Sequence, residues 1–548
     1  MTAETLRQTR DAELERRKGI KNRIACCTVA GCESAGSGEV RAALEREAAA
    51  QGRAGEVEVR GTGCMGWCSR GPLVRCSSND TIYAEVTPAD APALVSGDAG
   101  RFEGRALTAD HPFYAGQRRL ILRNSGHADP ERIADYIAQG GYQGLLKAVT
   151  AMTPPDIVAE VKRSRLRGRG GAGYPTGLKW ELVARHPSTV SYVVCNADEG
   201  DPGAFMNRSV LEGDPHRVLE GMAIAGRAAG AEQGYIYARG ESPLAIERIR
   251  TAIEQARREG LLGSRIFDSN FQFQIDLRIG AGAYVCGEET ALIKSIEGKR
   301  GQPAPRPPYP PESGLWGHPT LINNVETFAN IPAIIENGGD WFASIGTASS
   351  PGTKVFAVAG RVQRTGLVEV PIGTTLRTIL SDICGGVPEG YEFKAAQTGG
   401  PAGGCIPAPF LDLPMDYDSL TRIGTMMGSG GLIVMDTSTC MVDVARFFME
   451  FCMDESCGKC IPCRAGTVQM HSILERITRG EGSEADFWML EELSALLREA
   501  SLCGLGMAAP NPVLSTMRHF RGEYEAHVRE HHCPAGHCPI HASEEVHS

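Results

Sequence analysis

Three cysteines at two-residue intervals, Cys457, Cys460 and Cys463, constrain the fold of this chain more than any other feature of its sequence. They place three thiols on one tight turn, and a fourth thiol, Cys503, follows about forty residues later. A [4Fe–4S] cluster takes four cysteine ligands in this kind of arrangement. Zinc is the alternative metal, but its usual signature is two separated pairs. Leucines at helical spacing before Cys503 predict a helical bundle that brings this last cysteine back to the turn.

A second set of cysteines lies near the N-terminus, as the pairs Cys27 with Cys32 and Cys64 with Cys68. Each pair follows a predicted strand, so two loops can supply four thiolates to a [2Fe–2S] cluster. Neighbouring glycines favour this interpretation over four small buried apolar residues, which free cysteines often are. Cys26 is an alternative ligand to Cys27 at this stage.

The tail of the chain holds a third concentration of metal-binding side chains, His532, Cys533 and Cys538. Imidazole and thiolate are common zinc ligands, and Cys452 is the candidate for a fourth position. The alternative is an unliganded surface tail.

The composition of the 548-residue chain excludes other classes of protein. Its 18 cysteines accompany a charged N-terminal segment with no apolar stretch, which indicates a cytoplasmic location where clustered thiols bind metals. A net charge of −10 argues against nucleic acid as the main partner. No apolar run reaches the length that a membrane span needs.

A glycine-rich loop between residues 167 and 180 is the main candidate for binding a small ligand. Its glycines are Gly168, Gly170, Gly171 and Gly173, and the flanking cations are Arg167, Arg169 and Lys179. A backbone without side chains can approach an anion closely and donate N–H groups to it. No apolar strand precedes the loop and it has no P-loop ending, so it predicts a phosphate or flavin cradle rather than an ordinary dinucleotide-binding turn. A simple turn is the alternative.

Polar residues follow apolar segments at three further places. Asn196, Asp198, Glu199, Gly200 and Asp201 follow the apolar run 191–195; Tyr284, Gly287, Glu288 and Glu289 precede a predicted helix; and Asn323 and Asn324 precede another. Ligands bind beyond the carboxyl ends of strands in an α/β sheet, so the first group is expected to face one. For the two glutamates and the two asparagines, helix capping is the alternative.

Four motifs, at residues 167–180, 195–205, 280–298 and 323–327, together resemble the NADH-binding flavoprotein subunit of respiratory complex I. The same module recurs in NAD-linked hydrogenases and formate dehydrogenases, including electron-bifurcating ones. The resemblance covers roughly residues 110–525. Asp201 stands where complex I members carry glutamate, and Leu182 stands where a second aromatic residue is expected near the nucleotide. The amino-acid sequence around Asp201 is more similar to that of the soluble hydrogenase and formate dehydrogenase relatives.

The resemblance implies roles for individual residues. FMN would be held by Gly168, Gly170, Lys179, Asn196, Asp198, Gly287, Asn323 and Asn324. Tyr174 would lie against the nicotinamide, Glu289 and Asp201 would help to place NADH, and Arg306 would lie near its phosphate or ribose end. The remaining members of the expected cofactor-binding set are Arg169, Gly171, Gly173, Glu199, Gly200, Tyr284 and Glu288.

The expected fold is α/β and multidomain. Residues 1–105 would form a leader and a thioredoxin-like [2Fe–2S] domain, 106–345 a Rossmann-like FMN- and NADH-binding domain, and 346–432 a ubiquitin-like β-grasp domain of the SLBB type. Residues 433–525 would form a helical bundle with the [4Fe–4S] cluster, and 526–548 the Cys/His-rich tail. Within the second domain, the sequence predicts helical structure over 135–150.

The implied function is hydride exchange between NADH and FMN, followed by transfer of single electrons to the iron–sulfur clusters. No side chain is assigned as an acid or base catalyst. The expected partners are a thioredoxin-like [2Fe–2S] subunit and a catalytic hydrogenase or formate dehydrogenase subunit. The alternatives are a stand-alone NADH diaphorase or quinone reductase, and an electron-relay scaffold without nucleotide turnover. The sequence leaves open the catalytic partner, the choice between NAD and NADP, the direction of electron flow and electron bifurcation.

Overall fold

A five-stranded sheet organises the N-terminal domain. Its strands are β1 (Asn22–Cys27), β2 (Val57–Thr62), β3 (Val74–Cys76), β4 (Thr81–Tyr83) and β5 (Ala106–Leu107), and its helices are α1 (Ala3–Lys18), α2 (Ala30–Ser34), α3 (Ser37–Ala50) and α4 (Ala91–Ser96). The strand order is β2-β1-β3-β4-β5, and β1 pairs with β2 in parallel. The computed structural model describes residues 1–186 and 188–540, so the end of the tail predicted at 526–548 lies outside the described residues.

The strand β1 separates the two adjacent cysteines at its end. Successive side chains of a strand point to opposite faces. Cys26 accordingly packs with Val40 and Val74 in the core of the N-terminal domain, whereas Cys27 lies with Cys32 and Cys64 on the other side. The structure therefore places Cys27, and not Cys26, with the other cysteines of the predicted cluster.

The second domain is built on a parallel sheet with the strand order β8-β7-β6-β9. Its strands are β6 (Tyr192–Ala197), β7 (Gln233–Arg239), β8 (Gln274–Gly280) and β9 (Thr320–Asn324). Its helices, after the connecting helix α5 (Pro112–Ala115), are α6 (Ile133–Ala138), α7 (Gln143–Thr150), α8 (Pro154–Arg163), α9 (Thr176–Ala184), α10 (Met206–Gly213), α11 (Pro215–Ala229), α12 (Pro243–Arg258), α13 (Glu289–Ile296), α14 (Val325–Asn337) and α15 (Gly339–Ala343). In the register of β6 and β9, Asn196 lies beside Asn324, so two of the predicted polar groups meet at one edge of the sheet.

The helical segment predicted over 135–150 is two helices, α6 and α7. Gly140 and Tyr142 between them have positive φ angles of 89° and 65°, which end a right-handed helix. The sequence pattern was apolar on both sides of this break, so periodicity alone did not reveal it.

The third domain is a five-stranded mixed sheet with the order β11-β10-β14-β12-β13. Its strands are β10 (Thr353–Gly360), β11 (Gly366–Pro371), β12 (Phe393–Thr398), β13 (Gly404–Pro407) and β14 (Gly431–Asp436), with helix α16 (Tyr417–Arg422) and a short π-helical turn (Thr378–Ile383). Glu326 at the start of α14 accepts a hydrogen bond from the Val355 N–H at 3.0 Å and pairs with the fully buried Lys354. This buried ion pair fixes the third domain against the second.

The C-terminal domain is helical, as predicted. Its helices are α17 (Met441–Asp454), α18 (Ile461–Thr478), α19 (Glu484–Ala500), α20 (Gly504–Ala508), α21 (Asn511–His519) and α22 (Arg521–Arg529). Leu490 and Leu497 of α19 are fully buried, whereas Leu496 is exposed, as expected for one face of an amphipathic helix. Within the described ranges, no helix is both long enough and apolar enough to span a membrane.

Candidate functional site

A cavity of about 630 Å³ lies where the second, third and C-terminal domains meet. This volume is in the range of small-molecule and cofactor sites. The predicted residues that line it are Gly170, Gly171, Asn196, Asp198, Glu199, Gly200, Asp201, Tyr284, Gly287, Glu288 and Asn324. The glycine loop and the three polar segments that the sequence singled out therefore converge on one site.

The glycine loop lies between helices α8 and α9, and no strand precedes it directly. Gly171 and Gly173 have φ angles of 128° and 64°, which L side chains rarely adopt. A Cβ atom on Gly170 would lie 3.2 Å from the Asn324 Cβ. The loop is thus bare backbone against the cavity wall, which fits the predicted cradle.

Asp201 is fixed by two hydroxyl groups. The Tyr284 hydroxyl donates to its Oδ1 at 2.5 Å, and the Ser429 hydroxyl donates to its Oδ2 at 2.9 Å. Tyr284 also receives a contact from the C-terminal domain, because its N–H donates to the Glu455 carboxylate at 3.0 Å. The Asp201 carboxylate thus joins the domains around the cavity.

The other two acids of this loop lie in different surroundings. Glu199 accepts hydrogen bonds from the N–H groups of Asn207 and Arg208 at 2.9 and 2.8 Å, so helix α10 holds it. The Asp198 carboxylate lies 3.7 Å from the Arg239 guanidinium, and its Oδ2 has no hydrogen-bond partner in the described part of the chain. Burial raises the pKa of Asp198 to about 7, although Arg239 opposes this shift.

Glu288 and Asn324 cap helices, as the alternative interpretation of the sequence predicted, and both also line the cavity. The Glu288 carboxylate accepts from the N–H groups of Thr290 and Ala291, both at 3.0 Å, at the start of α13. The Asn324 side chain accepts from the Glu326 N–H at 2.9 Å at the start of α14. A cap leaves the rest of each side chain facing the cavity, so capping and ligand contact do not exclude one another.

Several predicted residues lie outside the cavity lining. Arg169 is fully buried and donates to the carbonyl oxygens of Arg167 and Pro351 at 3.0 and 2.7 Å, and Asn323 accepts from the Trp180 indole at 2.9 Å. These side chains stabilise the loop and the strand rather than face the cavity. Gly168 and Gly173 lie against Tyr417 of the third domain.

A second group of predicted residues forms a more exposed cluster. Glu289 lies 2.9 Å from Arg306 and 3.7 Å from Lys179. The Lys179 ammonium lies 5.9 Å from the centre of the Tyr174 ring, and 48% of Tyr174 is exposed. We call Tyr174, Lys179, Glu289 and Arg306 the outer cluster.

The four cysteines of the C-terminal motif surround a small cavity of their own. Cys457, Cys460, Cys463 and Cys503 all line it, together with Val285 and Leu505. Four thiols around one cavity fit the predicted [4Fe–4S] cluster. Val285 and Leu505 also line the large cavity, so these two residues form a shared wall between the two sites.

The four N-terminal cysteines also come together. Contact with the Cys32 and Cys64 thiols lowers the pKa of Cys27, and Cys64 in turn contacts Cys68. The N–H groups of Val29 and Met65 also point at the Cys27 sulfur. This linked set of four thiols, supported by backbone N–H donors, fits a [2Fe–2S] cluster.

The tail cysteines meet a different pair of partners from those predicted. Cys533 and Cys538 lie with Cys440 and His527, and the four ligand atoms are all within 4.8 Å of one another. Cys452 is instead buried in the core of the C-terminal domain, and His532 is exposed. The structure therefore does not place Cys452 and His532 with the tail cysteines, because the fold brings the distant Cys440 to them and the nearby His527, rather than His532, faces their sulfurs.

Sequence reasoning also missed further parts of the cavity lining, most of which the third and C-terminal domains supply. They are Asn207, Gly399, Ala402, Met426, Gly428, Ser429, Arg498, Gly504, Leu505, Met507, Ala508 and Asn511. None belongs to a motif with a chemical signature. The positions of Gly504 and Leu505 directly after Cys503 were the signal that could have indicated some of them.

Comparisons with known proteins agree with this arrangement. The chain matches the models of four families: the thioredoxin-like [2Fe-2S] ferredoxin over residues 13–97, the Nuo51 FMN-binding domain over 161–333, the SLBB domain over 355–405, and the NADH-ubiquinone oxidoreductase-F iron-sulfur binding region over 443–527. Fold and site therefore define a redox protein that binds FMN, a [4Fe–4S] cluster and a [2Fe–2S] cluster.

The chain belongs to the family of flavoproteins that includes the F subunits of NADH-quinone oxidoreductases. It is 58% identical over 422 residues to the HndC subunit of the NADP-reducing hydrogenase of Solidesulfovibrio fructosivorans, covering 77% of this chain and 86% of the relative. It is 46% identical over 415 residues to the F 2 subunit of the NADH-quinone oxidoreductase of Rhizobium meliloti, covering 76% and 99%. The structure of an NAD+-reducing [NiFe]-hydrogenase in the H2-reduced state superposes with a TM-score of 0.66 at 30% identity, covering 93% of this chain and 84% of that one. The predicted family and the α/β multidomain fold are confirmed.

Proposed function

We propose that this chain is the NAD(H)-linked flavoprotein subunit of a multisubunit redox enzyme and that it connects NADH to iron–sulfur clusters. The observation that carries this proposal is the wall formed by Val285 and Leu505, which separates the flavin cavity from the four C-terminal cysteines. FMN bound in the large cavity would supply the chemistry that converts a hydride into two single electrons. The shared wall places the two sites next to each other, as electron transfer between neighbouring cofactors requires.

The residues around the cavity bind and orient rather than transfer protons to the substrate. The backbone of Gly170 and Gly171 would lie against FMN, and Asn196 and Asn324 would supply polar contacts from the strand ends. Asp201 would position Tyr284 through their 2.5 Å hydrogen bond. Both Asp201 oxygens already have donors, so its effect on NADH is expected to act through Tyr284 as well as directly.

The outer cluster is the proposed site for the rest of the nucleotide. Tyr174 would contact the nicotinamide, and Arg306 would lie near a phosphate or ribose. Glu289 holds both Arg306 and Lys179 in place, at 2.9 and 3.7 Å. These roles rest on the family resemblance, and the exposure of Tyr174 leaves its ring accessible to a ligand.

We further propose a hydrogenase subunit as the electron-transfer partner. The relative HndC and the superposed structure are both named as parts of hydrogenases. The C-terminal domain offers apolar surface beside the cluster cysteines, since Ile461, next to Cys460, is 68% exposed. A thioredoxin-like [2Fe–2S] subunit, a formate dehydrogenase partner, electron bifurcation and a cytoplasmic location stay predictions.

Anaerobic titration of the purified chain with NADH tests the main proposal. We expect the flavin absorbance to bleach as NADH is added, because hydride transfer delivers two electrons to one flavin, and we expect more than one NADH to be consumed per FMN, since the two clusters each accept one electron from it. Absence of bleaching in a protein that contains FMN would support the relay scaffold instead. Full turnover with quinones or dyes by a Cys457→Ser variant, without any partner, would support the diaphorase.

A second proposal concerns zinc, and it rests on the cluster of Cys440, His527, Cys533 and Cys538. Three sulfurs and one nitrogen match a structural zinc site. His527 is oriented for this role, because its Nδ1 lies 2.7 Å from the Glu523 carbonyl oxygen and its Nε2 lies 3.5 Å from the Cys440 Sγ. The ion would join the tail to the start of α17.

Metal analysis tests the zinc proposal. We expect one zinc per chain, lost in Cys440→Ser and Cys533→Ser and retained in Cys452→Ser, which is the matched control in the same domain. Zinc retained in the first two variants, or absent from a wild-type protein with full iron content, would contradict the proposal.

A further inference from the structure

A partly buried cation contacts the loop that carries Cys64. The Arg119 Nη2 donates to the Met65 carbonyl oxygen at 3.0 Å, and Met65 lies between Cys64 and Gly66. A Cβ atom on Gly66 would lie 3.2 Å from the same nitrogen, so the guanidinium packs on the loop that carries Cys64. Burial lowers the pKa of Arg119, but an arginine side chain remains charged in proteins.

The side chain of Tyr114 lies beside Arg119. The Arg119 guanidinium lies 4.9 Å from the centre of the Tyr114 ring. The Tyr114 hydroxyl is buried and has no hydrogen-bond partner among residues 1–186 and 188–540. A buried hydroxyl without an acceptor costs free energy, so the site needs a group that accepts this hydrogen bond.

The position of Arg119 is fixed by the third domain. The buried Glu369 carboxylate accepts from the N–H groups of Leu120, Ile121 and Leu122 at 2.9 to 3.0 Å. These backbone donors and the Thr353 hydroxyl satisfy the Glu369 charge. The segment that carries Arg119 is therefore held beside the cysteine loop, and Glu369 acts on the Arg119 charge through space without a direct ion pair in the described structure.

A carboxylate on the other side of the cysteines has its own counter-ion. Glu212 accepts from the Ala30 N–H at 3.0 Å and lies 3.6 Å from Arg208. Arg119 is thus the positive group that faces the Cys64 loop without an acid paired to it.

We propose that Arg119, together with the neighbouring Tyr114, raises the reduction potential of the [2Fe–2S] cluster by stabilising its reduced form. This inference rests on the proposed ligation by Cys27, Cys32, Cys64 and Cys68. One-electron reduction adds one negative charge to the cluster, and a fixed cation in a poorly solvated interior favours the more negative state. Arg119 is a positioning and electrostatic residue, because it contacts the ligand loop and not the iron.

A redox titration of the full-length protein, followed by the electron paramagnetic resonance signal of the reduced [2Fe–2S] cluster, tests the proposal. At the potential where the wild-type cluster is half reduced, we expect the ratio of reduced to oxidised cluster in Arg119→Gln to fall about tenfold. Tyr114→Phe should lower the ratio by about twofold, since it removes one neutral hydrogen-bond donor. Arg119→Lys keeps the charge and should lie near the wild type.

The matched control is Arg118→Gln, which removes an exposed arginine from the neighbouring position and should leave the midpoint unchanged. A midpoint in Arg119→Gln equal to that of the wild type, with the cluster present, would overturn the proposal. If Arg119→Gln does not retain its cluster, Tyr114→Phe decides, and an unshifted or raised midpoint there would overturn it. A wild-type protein without any [2Fe–2S] signal would instead contradict the proposed ligation.

Discussion

The two iron–sulfur sites lie in different electrostatic surroundings. The C-terminal cysteines share a wall with a cavity lined by Asp198, Glu199 and Asp201, and the cation Lys459 lines the cysteine cavity itself. The N-terminal cysteines lie on a loop that contacts the partly buried cation Arg119. A positive environment favours the retention of electrons. The difference indicates that the N-terminal cluster is suited to hold an electron, whereas the C-terminal cluster, beside the flavin cavity, is suited to pass one on.

A single short helix links the two regions. Asn207 at the beginning of α10 holds Glu199 beside the flavin cavity, with its side-chain N–H 2.9 Å from the carboxylate. Glu212 near the end of the same helix accepts from the Ala30 N–H, and Gly213 packs on Gly63 next to Cys64. The two sites are therefore mechanically connected although their surroundings differ in charge.

Removing one cluster at a time should give the largest difference in electron transfer between the two iron–sulfur sites. Cys457→Ser is expected to abolish NADH-driven electron transfer to the partner while the flavin still bleaches, because this variant loses the cluster behind the shared wall. Cys27→Ser should keep most of that transfer. Partner reduction measured by stopped flow, with iron content as the control, checks both. Equal losses in the two variants would show that both clusters lie on the same obligatory path.

The acids beside the flavin cavity should make stability depend on pH. Asp198, whose pKa burial raises from 3.8 to about 7, binds a proton in the folded protein between about pH 4 and 7 that the unfolded chain does not bind. Its stabilising contribution is therefore complete below about pH 4 and is lost as the pH rises through 7. Relative to wild type, Asp198→Asn should gain about 2 kcal/mol between pH 5 and pH 8.

Urea unfolding of the FMN-free protein at the two pH values measures this gain. Glu254→Gln is the control, because Glu254 is an exposed acid on α12 that has no part in the shift of Asp198. An identical pH dependence of the midpoint in wild type and Asp198→Asn would contradict the assigned pKa.

Substitution of Asp201 tests how the acids of the flavin cavity affect nucleotide binding. Asp201→Asn weakens the hydrogen bonds from Tyr284 and Ser429 by removing a charged acceptor, which costs about 1.5 kcal/mol. We expect KM for NADH to rise about tenfold. Steady-state kinetics provide the measurement, and Ser429→Ala should show a smaller effect in the same direction. An unchanged KM in Asp201→Asn would remove this residue from nucleotide positioning.

Leu182 gives the smallest expected effect. The side chain is 53% exposed on α9, where the family resemblance leads one to expect an aromatic residue. Leu182→Phe should lower KM for NADH by about threefold, since an aromatic pair contributes about 0.5–1.5 kcal/mol beyond its buried area. The potential of the [2Fe–2S] cluster should not move in this variant. A rise in KM would show that no ring of the nucleotide lies near position 182.

Local motifs were predictable from the sequence because their ligands are close in the chain. The triplet Cys457, Cys460 and Cys463 and the glycines at 170 and 171 belong to single turns, and the structure brings each group to a cavity. Adjacent residues on a strand were not resolved by spacing, and only the alternation along β1 placed Cys27 rather than Cys26 with the other cysteines. The four zinc-type ligands show the limit, since Cys440 meets the tail cysteines through tertiary packing alone.

The contacts that place charged groups across domain boundaries could likewise not be predicted from the sequence. Arg119 faces Cys64 because Glu369 of the third domain holds its segment, and these positions are about 250 residues apart. Ser429 reaches Asp201 over a similar separation. A motif search finds ligands, whereas the groups that tune them lie wherever the fold places them. The domain boundaries and the individual ligand roles accordingly stay predictions.

The most direct test of the central claim is rapid freeze-quench electron paramagnetic resonance after mixing the oxidised protein with excess NADH under anaerobic conditions. The account predicts that the signal of the reduced [4Fe–4S] cluster appears as fast as the flavin absorbance bleaches, because Val285 and Leu505 form a wall that the two cavities share. A bleached flavin with a [2Fe–2S] signal alone, while the C-terminal cluster stays oxidised, would contradict it.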